Sequence, residues 1–165
     1  MKKVPWFPRH VQSGHILLAA FIWLNAGAGS LANASETHGD APNLVSVFVG
    51  NTQHESSNGA SLGVEYERRL SPLIGLGAFV EYAGGDIDAL RIGVPVFFHP
   101  HAGWVFKLAP GTEIEHGDGQ FMMRTGVGYE FEIASKWILI PQFNVDFVDR
   151  RGTMLIYGLS LSRQF

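Results

Sequence analysis

The chain has 165 residues, 12 basic against 15 acidic side chains, a net charge of −3 and no cysteine. The acid surplus excludes a nucleic-acid binder on charge grounds. The lack of cysteine excludes a disulfide framework, a lipidated N-terminal cysteine and any thiolate metal site or nucleophile.

Residues 1–34 read as a secretory signal peptide. Lys2, Lys3 and Arg9 form a positive n-region, and the apolar stretch from Ile16 to Ala26 that follows is too short to cross a bilayer as a helix. Small residues come next, ending in Ala32-Asn33-Ala34, whose A-x-A form suits the two small pockets of a signal peptidase, so the cut is expected after Ala34. Removing this segment leaves 9 bases against 15 acids. Gly27, Gly29 and Ala32 mimic a dinucleotide fingerprint, but no strand precedes them. Residues 35–43 are polar and turn-rich, a short periplasmic lead-in without a pattern of its own. No later stretch approaches the roughly 20 apolar residues of a transmembrane helix. Residence in a membrane would therefore require a closed barrel, because only closure satisfies every strand's backbone groups in lipid.

From Leu44 to the last residue the chain alternates with period two between turn clusters. The pattern predicts one domain over 44–165 with eight strands, near 44–51, 60–69, 73–82, 88–98, 103–114, 120–132, 137–148 and 153–165. One face carries Leu62, Val64 and Tyr66; Leu76, Val80 and Tyr82; Leu90, Ile92, Val94, Val96 and Phe98. It continues through Trp104, Phe106 and Leu108 to Phe121, Val127, Tyr129, Phe131, Trp137, Leu139, Phe143, Val145 and Phe147. The other face carries glycines and charges. In a soluble barrel the apolar face would be the core; in an outer-membrane barrel it meets lipid and the small and charged residues fill the lumen.

Two observations favour the lipid-facing sense. Glycine costs strand stability, and it shares a face with the charges, as a crowded lumen needs and a wet surface does not. Aromatic residues also gather near strand ends: Tyr66, Phe98, Trp104, Tyr129, Trp137 and Phe165 toward one rim, with Tyr82, Phe121 and Phe147 toward the other. Tight turns are expected at 68–72, 99–103 and 133–136. The alternating connections 53–59, 83–87, 115–119 and 149–152 are expected to be the outer loops, and they are short for a large binding surface.

The charged face gathers Glu65, Glu67, Glu81, Glu113, Glu115, Glu130 and Asp146 with Arg91, Lys107 and Arg124. Unpaired charges in so narrow an interior are costly, so a salt-bridged lumen network is expected. The acid surplus must sit at wet ends, bind a cation or take up protons. A proton or cation path is one reading; a plugged interior is the other, since eight strands enclose a space that side chains just fill. His54 and His116 fall in outer loops near Glu55, Asp86, Glu115 and Asp118, without the ligand spacing of a metal site. His99 and His101 flank Pro100 in an inner turn. No catalytic set, metal site or cofactor is expected.

The terminal run from Tyr157 to Phe165 alternates to its last residue and ends on phenylalanine. Here the chain resembles the bacterial outer-membrane barrels, and 44–165 is similar to their small eight-stranded OmpA-type and OmpX-type class. The resemblance implies an all-β, antiparallel up-and-down transmembrane barrel in the outer membrane of a Gram-negative cell envelope. It also implies export by the Sec pathway and an assembly signal at Tyr157, Gly158, Leu161 and Phe165, read by the barrel assembly machinery. Outer-membrane lipid and lipopolysaccharide would be the surroundings, and a monomer is expected. Arg163 departs from the pattern at a lipid-facing position, close enough to the end to snorkel to water. The expected role is structural or surface interaction, without a wide pore. A barrel-edge enzyme modifying lipid A is the first alternative, detectable as a lipid A mass shift. A soluble periplasmic lipid-binding barrel, with an apolar core, is the second.

Overall fold

The computed structural model describes residues 43–101 and 103–165. The predicted signal peptide and the lead-in through residue 42 lie outside them. In chain order the strands are β1 (Asn43–His54), β2 (Ser57–Arg69), β3 (Ile74–Ala83), β4 (Ala89–Gly93), β5 (Val96–Phe98), β6 (Trp104–Glu115), β7 (Asp118–Tyr129), β8 (Phe131–Ala134), β9 (Trp137–Val148) and β10 (Gly152–Gln164). They make eight staves, because β4 and β5 are one stave interrupted at Val94-Pro95 and β7 and β8 are one interrupted at Glu130. The first interruption has a local cause. Pro95 has no N–H for the ladder, yet the backbone stays paired around it: Gly77 N–H donates to Pro95 O at 2.9 Å and Val94 N–H to Pro110 O at 3.0 Å.

Neighbouring staves pair antiparallel in sequence order, and β10 pairs with β1 as well as β9, so the sheet closes on itself. The ladder at the seam runs from Leu44 opposite Gln164 to Gln53 opposite Leu155. Phe165 N–H adds a last bond to Asn43 O at 3.1 Å. Both described ends of the barrel thus lie at one rim, here the terminal rim, together with the connections that follow Arg69, Phe98 and Ala134. The far rim carries the other four connections.

Two far-rim connections are tighter than the sequence suggests. Strand pairing continues to His54 opposite Ser57 and to Glu115 opposite Asp118, which leaves only Glu55-Ser56 and His116-Gly117 as turns. At the second, His116 and Gly117 both take positive φ, 51° and 91°, the pair of angles of a type I′ hairpin whose twist matches the flanking strands.

The face expected to be apolar points outward on every stave; Leu62, Phe121 and Leu108 are 59%, 60% and 52% exposed. The charged face points inward, with Arg91 and Asp146 fully enclosed. The interior also holds an apolar cluster, Phe48, Phe79, Ala109, Met122, Val148, Met154 and Ile156. Alternation hides these positions, since residues such as Phe79, between Ala78 and Val80, have apolar neighbours on both sides.

At the seam the two glycines Gly50 and Gly158 stand opposite each other, with the Phe48 ring against both. A methyl group at Gly158 would press on Val49 O and Gly50 Cα, backbone atoms that cannot swing away. Gly158→Ala is therefore expected to destabilise the barrel by about 1–3 kcal/mol through overpacking. Denaturant titration of the inserted protein measures this, and an unchanged midpoint would show that the seam has slack.

Candidate functional site

The inward charges form two tiers. Alternation puts them on one face, and the register then places opposite charges side by side: Glu81 faces Arg91 across β3 and β4, Arg91 faces Glu113 across β4 and β6, and Arg124 faces Asp146 across β7 and β9. The curvature of the barrel adds contacts across the lumen.

In the tier nearer the far rim, Glu81 bridges the two arginines. Arg91 Nη1 donates to Glu81 Oε1 at 3.0 Å and Arg91 Nε to Glu113 Oε2 at 2.8 Å. Arg124 binds Glu81 from across the lumen with two bonds of 2.9 and 3.0 Å, and it binds Asp146 with two of 2.7 and 2.8 Å. Paired, fork-like bonds of this kind fix orientation as well as charge. Arg91 also donates to Thr52 Oγ1 at 3.0 Å. The Arg124 guanidinium lies 4.4 Å from the centroid of the Phe79 ring, so the apolar cluster and the ion network share a boundary. Above them Arg151 reaches inward from the far-rim turn, donating to Glu113 at 2.7 Å and lying 2.9 Å from Glu115. The His54 ring donates from Nε2 to Arg151 O at 2.8 Å and holds that turn in place.

In the tier nearer the terminal rim, Lys107 Nζ donates to Glu65 at 2.7 Å and to Gln142 Oε1 at 3.0 Å, and Gln142 passes the chain on to Ser160 at 2.8 Å. His99 Nε2 lies 2.7 Å from Glu67, and Arg69 pairs with Glu130. Every inward charge named from the sequence, Glu65, Glu67, Glu81, Arg91, Lys107, Glu113, Glu115, Arg124, Glu130 and Asp146, has at least one partner of opposite charge or a hydrogen bond within these tiers.

Three members were missed by sequence reasoning: Arg69, His99 and Arg151. Arg69 and His99 continue the inward parity of Glu65 and Glu67, and of Arg91 and Pro95. Arg69 closes the expected strand 60–69 and His99 lies one step beyond the expected strand 88–98, so carrying the alternation to those ends finds both. Arg151 sits in a turn, where no parity applies, and nothing in the sequence marks it. With them the seven acids face five permanent cations and His99, so the surplus is smaller than the sequence suggests. His99 is thereby a half-buried hydrogen-bond partner of Glu67 more than a turn residue, whereas His101 and His116 are exposed.

The side chains leave little space. Among the described residues a gap of about 20 Å³ lies within the terminal-rim tier, beside Lys107 and Glu67, and one of about 10 Å³ lies between the tiers, beside Phe79 and Arg124. Each has room for about one water molecule. Among the described residues no group of three or more histidine and carboxylate side chains is arranged to hold a metal ion. Chemically, the tiers can hold the staves together and block the bore; they present no nucleophile beside a base.

No protein-family model matches the chain, and no curated protein matches it in sequence. Solved structures do match it in shape. The N-terminal β-barrel domain of Pseudomonas aeruginosa OprF aligns with a TM-score of 0.56 at 12% identity, over 78% of this chain and 100% of that one. Neisserial surface protein A aligns with a TM-score of 0.53 at 9% identity, over 74% and 96%. Ail, the attachment invasion locus protein of Yersinia pestis, aligns with a TM-score of 0.52 at 10% identity, over 76% and 99%. At these identities the likeness is one of fold, and the fold is that of the small eight-stranded outer-membrane β-barrels.

Proposed function

We propose that the protein is a monomeric outer-membrane barrel, exported through the periplasm after removal of residues 1–34, with a structural or surface-interaction role and a lumen plugged by its own side chains. The observation that carries this reading is the sense of the two faces: apolar side chains outward on every stave, ion pairs inward. A soluble lipid-binding barrel needs the reverse. The two-residue turns at Glu55-Ser56 and His116-Gly117 limit what the far rim can offer a partner, which favours a structural role or a contact made by the wall itself. The terminal rim would face the periplasm, because the export signal and both ends of the barrel belong to the side from which the chain arrives. Lipid and lipopolysaccharide would be its surroundings. Surface and attachment proteins among the barrels of like shape support this reading.

The test is fractionation with a gel comparison of boiled and unboiled samples. The protein is expected in the outer-membrane fraction, with an unboiled form that migrates differently, since a closed sheet resists detergent. Recovery in the soluble fraction with identical migration would refute it. In the same assay, deletion of Phe165 is expected to lower the shifted form several-fold while signal cleavage proceeds. The reason is that the assembly signal of Tyr157, Gly158, Leu161 and Phe165 acts after translocation. Normal assembly of the truncated chain would remove that role from Phe165.

A further inference from the structure

The outer wall is not smooth. Over β7, β9 and β10 lies an open groove of about 570 Å³, where Gly128, Pro141 and Gly158 contribute little side chain and the rings of Trp104, Tyr129 and Tyr157 stand at its sides. Trp104 and Tyr129 meet edge to face at 5.2 Å, which makes that side firm. The groove's lining offers no charge, so an occupant must present hydrocarbon there.

The strands that line the groove run on to the terminal rim and end in cations. Arg163 points outward opposite Trp137, its guanidinium 5.7 Å from that ring's centroid. Lys136 stands next to it in the turn between β8 and β9, where its carbonyl accepts the Gln164 N–H at 2.9 Å. Neither side chain forms an ion pair among the described residues. The acidic side chain of this sector is Glu132, and it is not bridged to either of them. From Leu159 at the groove to Arg163 is four residues, about 13 Å along a strand. An outward cation next to an apolar belt is costly unless its head reaches a polar layer. A molecule with a hydrocarbon chain in the groove and an anion at that distance would meet both needs.

We propose that this face binds one anionic glycerophospholipid in the leaflet at the terminal rim, with an acyl chain in the groove and the head-group phosphate on Arg163 and Lys136. The proposal rests on the membrane reading above. Phosphate is matched by a guanidinium and an ammonium together, and juxtamembrane cations draw anionic over zwitterionic lipid.

The protein is inserted into vesicles of equal phosphatidylglycerol and phosphatidylethanolamine, released in mild detergent and weighed by native mass spectrometry. Phosphatidylglycerol is expected to be retained about tenfold over phosphatidylethanolamine. Arg163→Gln with Lys136→Gln should abolish that preference, and Arg163→Lys should keep most of it. Leu159→Trp, which fills the groove, should lower retention of both lipids. Equal retention by the unaltered protein overturns the proposal, as does a preference that survives the double substitution or retention untouched by Leu159→Trp. Preferential retention of lipid A when it is mixed with phosphatidylglycerol overturns the choice of phospholipid. The boiled and unboiled comparison is run on every sample. A protein that never shifts fails the membrane reading, whereas one that shifts without lipid preference fails this inference alone.

Discussion

Leu108→Arg is expected to destabilise the inserted barrel by about 2–4 kcal/mol, while Ile114→Arg on the same strand costs about 0–1 kcal/mol. Leu108 lies outward near the middle of β6, 52% exposed, and pairs across the sheet with Val96 and Thr125. In lipid a guanidinium there has no water within reach; at Ile114, one residue from the far end of β6, it does. In a water-soluble barrel both positions would be ordinary surface, and both substitutions would be close to neutral. Urea titration of the protein in vesicles, followed through the rim tryptophans Trp104 and Trp137, reads the difference. Equal costs at the two depths would remove lipid from the outer face.

Arg124→Met is the second large effect, a loss of about 3–5 kcal/mol. It takes two bonds from Glu81 and two from Asp146 at once and leaves both carboxylates enclosed, with Arg91 as their remaining neighbour. The double variant Arg124→Met with Asp146→Asn removes one charge of each sign and should recover part of the loss. The gap between the double variant and the two single ones is the coupling energy of the pair. If Arg124→Met costs less than about 1 kcal/mol, the tier nearer the far rim is ballast and the seam and outer packing hold the barrel.

Much of this architecture was legible because strands keep strict parity. Once Leu62, Val64 and Tyr66 share a face, Gly63, Glu65 and Glu67 must share the other, and one misassigned residue would invert a whole strand. The same parity located the charges of the lumen but not their partners. That Glu81 joins Arg91 to Arg124 depends on curvature across the bore, which no local spacing encodes. Phe48, Phe79 and Met154 were hidden for the opposite reason: where both faces are apolar, alternation carries no signal. Arg151 was invisible because its inward course is set by turn geometry after Arg150, which takes a positive φ of 64°. The groove over Gly128, Pro141 and Gly158 belongs to the same class, since a depression is a relation among three strands.

The seam between β1 and β10 also sets an order of events. The hydroxyls of Ser46 and Ser162 meet there at 2.6 Å although 116 positions separate them, whereas His54 and Ser57 pair across a two-residue turn. Closing a long loop costs more chain entropy than closing a short one, so each hairpin can zip locally and the ring joins last. Until that moment β1 and β10 are both open edges, ready to accept any strand that arrives first. The slow, vulnerable step in making this barrel is therefore its final one, and a catalyst that holds the two edges in register would act on the seam and leave the hairpins to themselves.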